Sequence, residues 1–254
     1  MRHSFSYSLL ITCLLLLASC ESHVVKTGFE AENISVSEEL GKVDSSIIKL
    51  YQPFKETLDA DMKRVISVSA FEMEKDKPES LLTNFLADLL LEESTLVAKE
   101  KSLNIIPDVS FFNYGGIRTP LPKGDITVGK IFELMPFENQ LVFVKVSGEK
   151  MKAFLDYIAD HGGDSVGGAT LVISGEKATK ITIGGKAFVI NKAYWLATND
   201  YIAAGGDGLS MLQDNLGYVE SGDKIRDMII AYMERKQAQG EEISPKLDGR
   251  ISYE

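Results

Sequence analysis

Asn113-Tyr-Gly-Gly-Ile-Arg118 and Tyr201-Ile-Ala-Ala-Gly-Gly-Asp-Gly208 are the two stretches on which the reading of this chain turns. Each sets a planar or charged side chain beside glycines, where backbone approaches a ligand closely. Between them, Met135-Pro-Phe-Glu-Asn139 puts an aromatic on a turn ahead of an apolar run. Gly115 and Gly116 admit a ligand while Arg118 offers a planar fork suited to phosphate. Asn113 supplies both a donor and an acceptor. Gly206 and Asp207 bring a carboxylate to a turn, and a carboxylate accepts from the paired hydroxyls of a ribose. Tyr201 presents a ring face on which a base stacks, with Phe137 as the second face. Read singly, each has a plainer meaning. The first is equally a glycine turn closing a buried strand, the second a surface turn, and Phe137 a core aromatic.

Around these stretches the chain alternates helical and strand-like patterns. Ile47, Ile48, Tyr51 and Phe54 suggest an amphipathic segment that Pro53 interrupts. Asp76-Lys-Pro-Glu79 resembles a capping box. Leu81, Leu82, Phe85, Leu86, Leu89 and Leu90 then recur at helical spacing. Val109 to Phe112 reads as a buried strand, Val128 to Met135 as a short helix capped by Thr127, and Leu141 to Val146 as a strand. Met151, Phe154, Leu155 and Ile158 mark a further helix, and Ile225, Met228, Ile229, Tyr232 and Met233 a last one. Short strands are predicted at Leu171 to Ile173, Ile181 to Ile183, Phe188 to Ile190 and Tyr194 to Ala197. Without a regular βαβ repeat, the fold class is α+β.

The N-terminus reads as an address. Leu9 to Leu17 is an apolar run too short to span a bilayer, and Leu17-Ala-Ser-Cys20 follows as a small-residue cleavage site. The last four residues resemble a bacterial lipobox, which makes Cys20 the lipidated first residue of the mature chain. The expected organisation is a signal peptide over 1–19, a lipidated tether over 20–40 and one domain over 41–254. An exported lipoprotein on the periplasmic face or cell surface follows, held to the membrane by the lipid alone. The only other cysteine, Cys13, lies in the signal, so no disulfide is expected. A net charge of −10 argues against nucleic acid and anionic membrane surfaces as partners.

Together and in this order, Asn-x-Gly-Gly-Ile-Arg, Pro-Phe-x-Asn and Ala-x-Gly-Gly-Asp-Gly resemble the C-terminal, substrate-binding domain of the 5′-nucleotidases. The resemblance runs from about Ile47 to Asp248-Gly-Arg-Ile251 and takes in Glu79, Asn84 and Asp88. It implies a nucleoside or nucleoside monophosphate as ligand, with the base between Phe137 and Tyr201, the ribose on Asp207 and the phosphate facing Arg118. Asn113 then lies near the nucleoside. Tyr201 departs from the phenylalanine common at that place by adding a hydroxyl. Asp76-Lys77-Pro78 stands where the family carries phosphate-binding arginines, leaving at most one lysine as substitute.

Full-length 5′-nucleotidases join this domain to an N-terminal dimetal phosphoesterase domain, which needs His, Asp and Asn ligands. The chain has three histidines: His3 in the signal, His23 in the tether, and His161, expected in a loop. No Gly-Asn-His-Glu pattern occurs. No metal or other cofactor is expected on this chain, and no catalytic residue. The expectation is therefore the recognition half of a 5′-nucleotidase in nucleotide catabolism, inactive alone. A separate metallophosphoesterase chain supplies the divalent metals. The alternative is a stand-alone, lipid-anchored nucleoside or nucleotide-binding module.

Overall fold

In the computed structural model the described residues are Gly28, Ala31 to Asn33 and Asp44 to Glu254. The predicted signal peptide, Cys20 and most of the predicted tether lie outside them. The chain divides into Met1–Ile48 and Lys49–Glu254, and the architecture below is that of the second unit.

A helix, α1 (Ser45–Met62), leads into it. Pro53 was expected to interrupt this segment, yet the helix continues through it. Only one backbone N–H is forfeited there, and the Pro53 carbonyl gains the Thr57 hydroxyl at 3.0 Å. None of its residues is buried, and Leu50, Phe54 and Leu58 are exposed.

Strand β1 (Val65–Ser69) precedes the long helix α2 (Leu81–Glu100). The capping box of α2 is not Asp76 to Glu79 but Ser80 with Thr83. Ser80 Oγ accepts from the Thr83 N–H at 3.1 Å, and Thr83 Oγ1 accepts from the Ser80 N–H at 2.8 Å. A threonine at the third helical position takes the place of the expected glutamate. Glu79 instead ties α2 to the C-terminal segment, accepting from Asn84 Nδ2 at 3.0 Å and from the Gly249 N–H at 2.8 Å. Arg250 completes that tie with a fork onto Asp88 at 2.7 and 2.8 Å. Glu79, Asn84 and Asp88 are thus joints of the fold.

The remaining elements are β2 (Val109–Phe112), β3 (Gly124–Thr127), α3 (Val128–Leu134), β4 (Gln140–Ser147) and α4 (Gly148–Asp160). After them come β5 (Ser165–Gly167), β6 (Ala169–Ser174), β7 (Lys177–Ile183), β8 (Lys186–Ala187) and β9 (Ala193–Asn199). A short helix α5 (Asp200–Ala203), β10 (Gly217–Lys224), α6 (Ile225–Ala238) and β11 (Ile251–Tyr253) end the chain. The strand expected at Phe188 to Ile190 is absent, since β8 pairs only over Lys186 and Ala187. Phe188 stacks on Tyr194 at 5.5 Å instead. His161 is the C-terminal cap of α4.

The central sheet has the order β10-β4-β9-β2-β5, and a second sheet the order β11-β6-β7-β8. Alternate residues of the central strands serve opposite faces, as the pleat requires. Phe112, Phe143 and Ala197 join Leu82, Leu86 and Leu89 of α2 and Ile229 and Met233 of α6. Phe111, Val142, Val144 and Leu196 join Met151, Phe154 and Leu155 of α4 and Leu171 and Ile173 of β6. A sheet covered on both faces explains why Leu141-Val-Phe-Val reads as a continuous apolar run. Each such buried side chain contributes roughly 1.5–3 kcal/mol, so the strand ends that carry the site are held by a well-anchored sheet.

Candidate functional site

Three chain segments meet at one end of the central sheet because of strand direction. Strands β2 and β9 pair in parallel, Val109 opposite Leu196 and Ser110 opposite Ala197. Both therefore deliver the residues after them, Asn113 and Asp200 onward, to the same end. Strand β4 is antiparallel to β9, with Leu141 opposite Asn199, so the residues before it, Phe137 to Asn139, arrive there too.

The site bounds a cavity of about 290 Å³ lined by Asn113, Gly115, Gly116, Arg118, Phe137, Asn139, Tyr201 and Asp207. Every predicted substrate-binding residue but Gly206 is in that lining. Gly206 lies behind it, where a Cβ would come within 2.4 Å of the Tyr201 ring, so only glycine lets that ring settle. Asn139 had its signal in Pro-Phe-x-Asn but was not singled out.

Polar contacts fix the walls. Asn113 is 7% exposed, and its amide nitrogen donates to Asp207 Oδ2 at 2.7 Å while its Oδ1 accepts from Asn199 Nδ2 at 3.3 Å. A Cβ on Gly116 would approach Asn113 Oδ1 to 2.8 Å, so the second glycine of the motif makes room for the amide. Asp207 has a positive φ of 53°, and its carbonyl accepts from Tyr157 Oη at 2.9 Å. The Tyr201 hydroxyl donates to Asp207 Oδ1 at 2.8 Å, and that bond raises the phenol pKa above its ordinary value. Asn199 caps α5, accepting from the Ile202 N–H at 2.8 Å, and Asp200 Oδ1 accepts from the N–H groups of Gln140 and Tyr201 at 3.2 and 2.9 Å. These bonds tie the Tyr201 loop to the start of β4.

Two cations support the walls from behind. Arg226, 6% exposed, donates to the carbonyls of Met135 and Pro136 at 3.3 and 3.0 Å, to Glu138 at 3.2 Å, and lies over the Phe132 ring at 4.1 Å. It thereby holds the turn that presents Phe137. Lys75 Nζ donates to the carbonyls of Tyr114 and Ile117 at 2.9 and 2.6 Å, clamping the glycine turn. Burial, and then the positive charge of Arg118, lower its pKa. Lys77 donates to the His161 carbonyl and lies 4.9 Å from the Tyr114 ring centre. Nearby, burial pushes the Asp164 carboxyl up to about 6.

Arg118 itself is exposed, and one of its nitrogens donates to the Gly115 carbonyl at 3.1 Å. Among the described residues no carboxylate lies within ion-pair distance of it. Phe137 and Tyr201 are 52% and 48% exposed, so both rings keep a free face. Among the described residues no three His, Cys, Asp or Glu converge to hold a metal ion. His161 Nδ1 lies 2.8 Å from the Tyr157 carbonyl, and its ring stacks on Tyr157 at 4.0 Å, in a packing role.

An α+β domain with a polar and aromatic cavity at the end of its main sheet is the class that fold and site define. The chain belongs to the 5′-nucleotidase C-terminal domain family, whose model matches residues 56–214. It is 25% identical over 215 residues to a 5′-nucleotidase of Vibrio cholerae, covering 83% of this chain and 38% of that protein. It is 29% identical over 252 residues to protein UshA of Yersinia enterocolitica, covering 96% of this chain and 44% of that one. The fold is similar to that of a 5′-nucleotidase precursor from Thermus thermophilus, with a TM-score of 0.66 at 22% identity over 81% of this chain and 42% of that one. The chain therefore spans less than half the length of these relatives.

Lys75→Met keeps the aliphatic stem and removes two hydrogen bonds from a charged donor, each worth about 1.5–3 kcal/mol. The Gly116 and Arg118 amides, bonded to the carbonyls of Asn113 and Leu134, are expected to exchange with solvent faster, with β4 unaffected. Unchanged exchange at both would refute the clamp.

Proposed function

We propose that this domain binds a nucleoside monophosphate in the cavity between Asn113, Arg118, Phe137, Tyr201 and Asp207. It would thereby serve as the recognition half of a 5′-nucleotidase-type phosphohydrolase in nucleotide catabolism. The observation that carries this reading is the convergence of five chemically suited groups on one cavity of about 290 Å³, near the lower end of the roughly 300–1,000 Å³ usual for small-molecule sites. The exposed faces of Phe137 and Tyr201 suit a base. The Asp207 carboxylate and Asn113 amide suit a ribose and base edge, and Arg118 suits the phosphate. Relatives bearing the name 5′-nucleotidase support the same ligand class.

On this reading the residues of the cavity bind and orient the ligand, and among the described residues no three His, Cys, Asp or Glu converge to hold a metal ion. On this proposal a separate metallophosphoesterase chain supplies the divalent metals and the activated water. The Leu17-Ala-Ser-Cys20 sequence supports export and a lipid anchor on Cys20, and acyl labelling that survives in Cys20→Ser would exclude it.

A second reading is favoured by one observation. Lys77, the one lysine at the place where phosphate-binding arginines were expected, is engaged with the His161 carbonyl, and Lys75 beside it with the carbonyls of Tyr114 and Ile117. A stand-alone, lipid-anchored nucleoside-binding module needs no phosphate clamp.

Calorimetric titration of the full chain with AMP and with adenosine separates the two. In the phosphohydrolase reading Arg118→Ala weakens AMP by about tenfold, the loss of one hydrogen-bonded charge pair, and leaves adenosine nearly unchanged. Equal losses for both ligands would remove the phosphate role of Arg118. Nucleotidase activity arising only when the chain is combined with a metallophosphoesterase would support the split enzyme; nucleoside binding without such activity would favour the module.

A further inference from the structure

The Asp207 carboxylate, the ribose acceptor of the proposed site, already carries one side-chain donor on each oxygen. Asn113 Nδ2 lies 2.7 Å from Oδ2 and Tyr201 Oη 2.8 Å from Oδ1. The second contact is built into the loop. The Asp207 N–H lies 3.3 Å from the same hydroxyl, so the phenol also accepts from the residue whose carboxylate it serves. Gly206 leaves room for the ring behind it, where a Cβ would come within 2.4 Å. Tyr157 holds the Asp207 carbonyl at 2.9 Å, fixing the backbone while the carboxylate faces Tyr201.

We propose that the Tyr201 hydroxyl is a specificity-determining group that competes with the ligand's ribose for Asp207 Oδ1. This rests on the reading of the cavity as a nucleoside site. A vicinal diol binds a carboxylate best with one hydroxyl on each oxygen, and here the phenol holds one of those positions. Part of what the ribose gains from Asp207 is then offset by displacing the phenol. The ring of Tyr201 continues to serve the base, and its hydroxyl weakens selection for the sugar. A phenylalanine at 201 would keep the stacking face and free Oδ1.

The test is titration of the full chain and of its Tyr201→Phe variant with adenosine and with 2′,3′-dideoxyadenosine, which keeps the base and lacks the diol. The variant is expected to bind adenosine about tenfold more tightly, the scale of one hydrogen bond to a charged group. Dideoxyadenosine should change by less than about twofold, so the ratio of the two affinities widens by about the same tenfold. If the hydroxyl merely braces the loop, both ligands weaken together and the ratio stays fixed, which would overturn the proposal. A ratio that narrows would overturn it as well. A second measurement needs no variant: the unaltered chain should prefer adenosine to dideoxyadenosine by only a few-fold, and a preference of about a hundredfold or more would contradict competition at Oδ1. Binding of neither ligand by the folded chain would remove the nucleoside reading itself, and this proposal with it. Binding of both with an unchanged ratio would remove this proposal alone.

Discussion

Val109 opposite Leu196 and Ser110 opposite Ala197 make β2 and β9 a parallel pair inside a sheet whose other pairs are antiparallel. Everything at the site depends on that direction. Had β2 run the other way, the Gly-Gly turn and the Gly-Gly-Asp-Gly turn would lie at opposite ends of the sheet, a strand length apart. Parallel neighbours need a long crossover, and here it contains β4, α4 and most of the second sheet. The antiparallel β4 then returns its start, with Phe137 just before it, to the same end. Three distant stretches of sequence become one cavity through the direction of three strands.

A second constraint acts at shorter range. The walls of the cavity are loops, and loops hold a geometry only where their backbone groups are satisfied. Lys75 satisfies two carbonyls of the glycine turn and Arg226 two carbonyls of the Phe137 turn. The chain of Asn199, Asn113, Asp207 and Tyr201 links the loops to one another by side chains alone. Such a network is costly when incomplete, because a buried amide such as Asn113 left without partners loses its desolvation energy uncompensated. The cationic side chains around the glycine turn are divided in role. Arg118 faces outward, and Lys75 and Lys77 are engaged by the scaffold.

Much of this was legible in the sequence, for identifiable reasons. The helices around Phe85, Phe154 and Ile229 carry long apolar patterns with a single period, the strand at Val109 to Phe112 is a short run buried throughout, and all of them formed where the sequence placed them. The motif residues met at one cavity because glycines beside planar and charged groups mark tight backbone around a site. What failed was local chemistry that a pattern cannot weigh. Pro53 lies inside a continuous helix, the cap of α2 uses a threonine in place of an acidic residue, and the β7–β8 ladder stops at Ala187, with Phe188 adding one N–H bond to the Ile181 carbonyl at 3.1 Å and a ring stacked on Tyr194. The supporting roles of Lys75 and Arg226 were also hidden, since their partners are carbonyls far away in sequence. The strand β10 was missed because the aromatic Tyr218 faces outward while the polar Ser221 and Asp223 face inward, so its sequence does not alternate apolar with polar.

The central claim is that the cavity at this sheet end is a nucleotide site, and its most direct test is the structure of the full chain bound to AMP. The account predicts the adenine between the rings of Phe137 and Tyr201, the ribose against Asp207 and the phosphate toward Arg118. AMP bound elsewhere on the domain, with Phe137 and Tyr201 untouched by the base, would contradict it.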